Sequence, residues 1–87
     1  MYSVYFLYSK KIKNVYVGCT NNIERRFKEH QLGLVISTKN RRPFVLIYTE
    51  EYDNLSLARK REKYLKSLYG YRERKKITTE CLKNKKP

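Results

Sequence analysis

Between Val15 and His30 the chain changes its period, and the rest of the sequence has to fold around that change. Val15-Tyr16-Val17-Gly18-Cys19 is β-prone and carries a glycine near its end, and Asn21-Asn22-Ile23-Glu24 then opens a helix. Asn21 is the expected N-cap, with Glu24 three residues on in the spacing of a capping box, Asn standing in place of Ser or Thr. On this helix Ile23, Phe27 and His30 fall on one stripe, and Arg26 lies beside it, one turn below His30. Arg25 points the other way, toward solvent. Two adjacent arginines are thereby set apart, one bordering the packed face and one not.

Upstream, Tyr2 to Tyr8 is a continuous β-prone run, suited to a strand covered on both faces. Lys10 to Asn14 makes a polar turn, and Val15 to Cys19 returns as the second strand of a hairpin. An even loop would put Tyr5 and Tyr16 on one face. A four-residue loop would set Tyr5 opposite Gly18, whose missing side chain leaves room for the ring.

Downstream, the first helix ends near Gly33 and a basic connection, Ile36 to Pro43, follows. Pro43 opens a third strand, Phe44 to Thr49, and Glu50 to Asn54 reads as an acidic turn with Asp53 or Asn54 capping the next helix. That helix, Leu55 to Tyr69, is the most periodic segment. Arg59, Lys60, Lys63 and Lys66 share a polar sector with Ser56 and Ser67, and Leu55, Leu57, Ala58, Tyr64, Leu65, Leu68 and Tyr69 fill the other half. Arg61 and Glu62 intrude on the apolar half, and Gly70 is the expected stop. Tyr71 to Pro87 has weak helical character through Ile77 and Cys81 and ends in Lys-Asn-Lys-Lys-Pro. The pattern is an α+β domain, β-β-α-β-α with a further helix (β-β-α-β-α-α).

Eighty-seven residues make one domain, read as residues 1–70 with the basic segment 71–87 belonging to it. A formal charge of +13 costs stability by self-repulsion and suits a polyanionic partner, nucleic acid ahead of an anionic membrane surface. No apolar run approaches the ~18 residues of a membrane span, and no signal-peptide pattern opens the chain. Cys19 and Cys81 have neither metal-site nor disulfide-framework spacing, so both are expected reduced, in a cytoplasmic protein.

Tyr16-Val17-Gly18 with Arg26 ten residues after the tyrosine, and Ser3-Val4-Tyr5 about ten residues upstream, resemble the two halves of the GIY-YIG endonuclease signature. The resemblance runs from Met1 to Tyr69 and is nearest to the small stand-alone bacterial members, which are similar to the nuclease module of an excision-repair subunit. Ser37-Thr38-Lys39, Arg41-Arg42-Pro43 and Val45-Leu46-Ile47-Tyr48 look like that subgroup in particular. It implies a three-stranded antiparallel sheet flanked by helices. It also implies that Glu62, within Arg-Lys-Arg-Glu-Lys-Tyr, binds one divalent ion, Mg²⁺ or Mn²⁺. From helix position alone, Glu62 would equally be served by an ion pair with Arg26, Arg61 or a neighbouring lysine.

Phosphodiester hydrolysis needs charge neutralisation at phosphorus, an oriented water and a proton acceptor. Arg26 suits the first, because a guanidinium matches two phosphate oxygens. Tyr5 and Tyr16 are candidates for arranging or deprotonating the water, provided that Arg26 or a metal's hydration shell lowers a tyrosine's pKa. His30 is a proton relay, a phosphate ligand or a satisfied helix-face histidine. Lys39, Arg41, Arg42, Arg59, Lys60, Lys63 and Lys66 would track the backbone.

Three departures from the family stand out. Ser3 replaces the first motif's glycine, and no late asparagine has a convincing match. Cys19 stands where some members carry a lysine, leaving that role empty or passed to Lys39. The expected function is a metal-dependent DNA endonuclease in repair or processing. The alternatives are a non-catalytic nucleic-acid-binding module of the same fold, or a subunit active only with a protein partner. Without a base-reading module beside it, target choice would come from DNA shape or that partner.

Overall fold

In the computed structural model, which describes residues 1–84, strand β1 (Tyr2–Ser9) forms the centre of a three-stranded sheet. Strands β2 (Asn14–Thr20) and β3 (Phe44–Tyr52) flank it, both antiparallel, in the order β2-β1-β3. The end of the expected basic tail, residues 85–87, lies outside the described residues. Val4, Tyr5, Phe6 and Leu7 are all buried, as a run covered on both faces requires. Alternation divides them. Tyr5 and Leu7 join Phe44, Leu46, Tyr16, Ile23 and Phe27 under helix α1 (Ile23–Gln31). Val4 and Phe6 face the other way, with Val17, Ile47, Ala58 and Leu65, under helices α2 (Leu55–Lys66) and α3 (Tyr71–Asn84). The domain is therefore a sheet with α1 on one face and α2 and α3 on the other.

A bulge in β3 adjusts the two layers. Phe6 pairs with Tyr48 while Leu7 pairs with Leu46, so Ile47 is the extra residue. Ile47 and Tyr48, neighbours in sequence, both pack on the α2–α3 side as a result.

Four expectations about the elements need correction. The cap of α1 is Asn22, whose side chain accepts from the Arg25 amide, so the helix starts one residue later than an Asn21–Glu24 box would set it. Strand β3 runs on to Tyr52, because Glu50 finds an inward partner in Arg61 and needs no solvent turn. Helix α2 stops at Lys66: Ser67 leaves helical geometry and its hydroxyl donates to the Tyr64 carbonyl at 2.6 Å. Leu68 and Tyr69 are left about 90% exposed (93% and 89%), outside the apolar half assigned to them. Gly70 opens the turn into α3, where any Cβ would strike the Tyr64 carbonyl.

The acidic end of β3 is what holds α2 and α3 to the sheet. Arg61 reaches both Glu50 oxygens at 2.9 Å and also pairs with Glu73 of α3. Tyr48 and Tyr52 donate to the same Glu50 carboxylate at 2.6 and 2.7 Å. Burial alone would raise the Glu50 carboxyl, but these donors hold it below its ordinary value. Arg61 intrudes on the apolar sector of α2 because it is a half-buried tie between β3 and α3.

Candidate active site

The hairpin register sets the site. Ser9 and Asn14 bound a four-residue loop, Tyr5 pairs with Gly18, and Tyr16, two residues along β2, shares its face. The two rings lie 6.3 Å apart. A Cβ on Gly18 would collide with the Tyr5 hydroxyl and come within 3.0 Å of the Tyr16 ring, so this close approach requires glycine.

Tyr5 is buried, and its hydroxyl is tied to His30 Nε2 at 2.9 Å. His30 Nδ1 in turn meets the Thr38 hydroxyl at 2.7 Å, and Thr38 donates to the Val35 carbonyl. Arg26 approaches the Tyr5 hydroxyl from α1. The assignment that gives each proton an acceptor has Tyr5 donating to Nε2, His30 donating from Nδ1 to Thr38, and Thr38 donating onward. Burial pushes Tyr5 up to about 12, more than Arg26 brings it down. Of the two influences that could lower a tyrosine here, Arg26 does not outweigh burial at Tyr5. Burial and the Arg26 and Arg41 charges push His30 down to about 4, against Glu29. His30 is fully buried with both nitrogens occupied, so it offers a phosphate no ligand atom.

Arg26 and Arg25 part as the helix stripe requires: their side chains are 35% and 59% exposed. Both reach Glu29, Arg26 at 3.0 Å and Arg25 at 3.9 Å, and the contact with Tyr5 belongs to Arg26.

From the other side of the sheet, α2 brings Glu62 to the same place. Its charge is felt at both Tyr5 and Cys19. Its side chain is 22% exposed, and Lys66 pairs with it at 2.9 Å. Of the partners open to Glu62, the structure selects the neighbouring lysine, because Arg61 is turned to Glu50 and Glu73. The Lys66 ammonium also stands 5.3 Å from the centre of the Tyr16 ring. Arg41 flanks the same ring at 5.7 Å. Cys19 has its thiol pushed up by burial and by Glu62, against the charges of Arg59 and then Lys66.

Tyr5, Tyr16, Arg26, His30 and Glu62 thus converge, and Lys66, Arg41 and Thr38 join them. Arg59 faces Cys19 at the rim, and Lys60 and Lys63 are exposed on the outer side of α2. Lys39 and Arg42 line a separate depression with Lys11, Gln31 and Pro43. Sequence reasoning did not give Thr38 or Lys66 its place. Lys66 had a usable signal in its four-residue spacing from Glu62; Thr38, eight residues from His30 across a loop, had none.

Among the described residues no three His, Cys, Asp or Glu side chains converge as a metal cluster. Glu62 is a single hard oxygen donor whose partner, Lys66, is half exposed and displaceable. That donor set fits one hard divalent ion that keeps most of its waters and takes phosphate oxygens as its other ligands.

Known proteins share both the sequence and the fold. The model of the GIY-YIG catalytic domain matches residues 1–76. A UPF0213 protein of Clostridium perfringens is 36% identical over 81 residues, 92% of this chain and 86% of that protein. One from Natronomonas pharaonis is 36% identical over 69 residues, 78% of this chain and 81% of its own. The solution NMR structure of a UPF0213 protein from Bacillus halodurans matches with a TM-score of 0.56 and 28% identity, covering 91% of this chain and 85% of that one.

Proposed function

The chain belongs to the GIY-YIG catalytic-domain family, a family of nucleases, and from that premise we propose that it is a metal-dependent endonuclease that hydrolyses DNA by water attack on a phosphodiester. The observation that carries this reading is the half-buried Tyr16, flanked by Lys66 and Arg41 and facing the same centre as Arg26 and Glu62.

Arg26 grips the scissile phosphate, breaking its contact with Glu29 to do so, and neutralises charge that grows as the water attacks. Tyr16 arranges the water, with the two cations beside it to balance developing charge. Tyr5 stays protonated at neutral pH and holds Arg26 and His30 in place; His30 and Thr38 fix Tyr5 in turn. Glu62 would hold Mg²⁺ or Mn²⁺, with Lys66 yielding its place on the carboxylate. Such an ion, when bound, polarises a phosphate oxygen and makes its own water more acidic. DNA shape or a protein partner would direct the activity to structures met in repair or processing.

Glu62→Gln tests the reading. Its pair with half-exposed Lys66 is of the surface i,i+4 kind, worth about 0.3–0.5 kcal/mol, so thermal stability should barely change. DNA binding in chelator should persist. Cleavage of nicked, flapped and branched DNA, present in the parent with Mg²⁺ or Mn²⁺ and absent with chelator, should vanish. A parent that binds all these substrates and cuts none is a binding module, whose Glu62–Lys66 pair is then purely structural. A variant that cuts like the parent removes Glu62 from the chemistry.

A further inference from the structure

The catalytic face is not the only basic concavity. On the opposite side of the sheet a cleft of about 280 Å³ opens between α3 and the β1–β2 hairpin. Tyr8 and Tyr71 line its walls, and Lys13, Arg74 and Lys75 supply cations beside Asn14. No carboxylate lines it, and among the described residues neither Lys13 nor Lys75 enters an ion pair. On α3, Glu73 is taken by Arg61. Glu80 belongs to a neighbouring depression, where Arg72, Lys75 and Lys76 outnumber it. Arg74 is anchored by a 2.6 Å bond to the Leu65 carbonyl, so its charge is already positioned. Tyr71 is half exposed, with the Arg74 and Lys75 cations 5.2 and 5.9 Å from its ring centre.

Uncompensated cations packed this closely cost stability by mutual repulsion, and a phosphate backbone relieves it. An aromatic ring beside phosphate-binding cations is the combination that holds a single strand, the ring stacking a base. Tyr8 and Val15 pack on the α2–α3 side of β1 and β2, whereas Tyr5 and Tyr16 pack on the α1 side.

We propose that the α3–hairpin cleft is a second nucleic-acid site, which binds a single strand distinct from the segment held at the catalytic face. The identity of the polymer rests on the nuclease reading. Engaging both faces at once would favour forked or branched DNA, in which two segments leave one junction.

The test uses the ¹⁵N-labelled chain in chelator, titrated with forked DNA carrying a single-stranded arm. Backbone amides of Asn14, Thr78 and Thr79 report on the cleft, and those of Gly18 and Glu62 on the catalytic face. Both sets should shift in the parent. Lys13→Asn combined with Lys75→Gln removes two exposed charges, and asparagine suits the positive φ of 54° at Lys13. In this variant the cleft shifts should disappear and the catalytic-face shifts remain. Affinity should fall about tenfold, and the log-log salt slope should become shallower by about 1.4, the change for two charges on a single strand. Cleft amides that stay still in the parent at saturation, or that shift equally in the variant, overturn the second site and leave the nuclease reading standing. Cleft shifts without any at Gly18 and Glu62 keep the cleft and remove the catalytic face from binding.

Discussion

His30, fully buried between Tyr5 and Thr38, makes the protein sensitive to acid. Its pKa falls from 6.5 to about 4, first through burial and then through the Arg26 and Arg41 charges. Below its ordinary value the unfolded chain takes up a proton that the folded chain refuses. The stabilising contribution is therefore complete above about pH 6.5 and is lost as pH falls toward about 4, up to about 3 kcal/mol in all. Urea midpoints across that range should fall with pH in the parent and much less steeply in His30→Gln; equal steepness in both would remove His30 as the cause. Arg26 is the second residue whose position matters. Arg26→Ala should slow cleavage by about 10²–10³ with DNA affinity within a few-fold, since its contact strengthens as charge develops on the phosphate. Arg25→Ala, which keeps Tyr5, Tyr16 and Arg26 in place, should leave the rate near the parent's. Single-turnover cleavage of the two variants side by side decides it, and equal losses would mean that the helix face does not separate the arginines.

Among the elements, α2 links the core to the chemistry. One stripe of it, Ala58 and Leu65, is buried in the core, and Arg61 fastens it to β3 and α3. Lys66 then stands by the Tyr16 ring, and the charge of its partner Glu62 is felt at Tyr5. Arg61→Ala would leave Glu50, whose side chain is only 15% exposed, without its cation. The expected loss is about 3 kcal/mol, the lower end of the buried-pair range, because Tyr48 and Tyr52 still donate to Glu50. Thermal unfolding measures this directly, and a loss below about 1 kcal/mol would show the clamp to be dispensable.

For the molecule as a whole, the charge of +13 is the dominant property. Cations lie on the catalytic rim, on the outer side of α2 and around the α3 cleft, with no base-reading module among the described residues. Binding should therefore be mainly electrostatic and indifferent to sequence. Neutralising about 5–6 phosphates gives a log-log salt slope near −5 on duplex DNA. An affinity that hardly moves between low and physiological salt, or that prefers one sequence strongly, would contradict this.

Much of the candidate site was legible because it depends on local periodicity. An even hairpin loop would put Tyr5 and Tyr16 on one face, a condition that the Ser9–Asn14 pairing met, and helix spacing set His30 on the packed stripe of α1 with Arg26 beside it. The charge and the order of strands and helices came from composition and pattern in the same way. What only the tertiary structure decided is which charge meets which. Arg61 and Glu62 stand side by side on the same sector of α2, yet one becomes a half-buried tie to Glu50 and Glu73 and the other pairs with Lys66 toward the Tyr5–Tyr16 face. Local spacing cannot separate them, because the cost of burying a charge depends on partners brought from other elements, and those partners are fixed only when the sheet is covered on both faces.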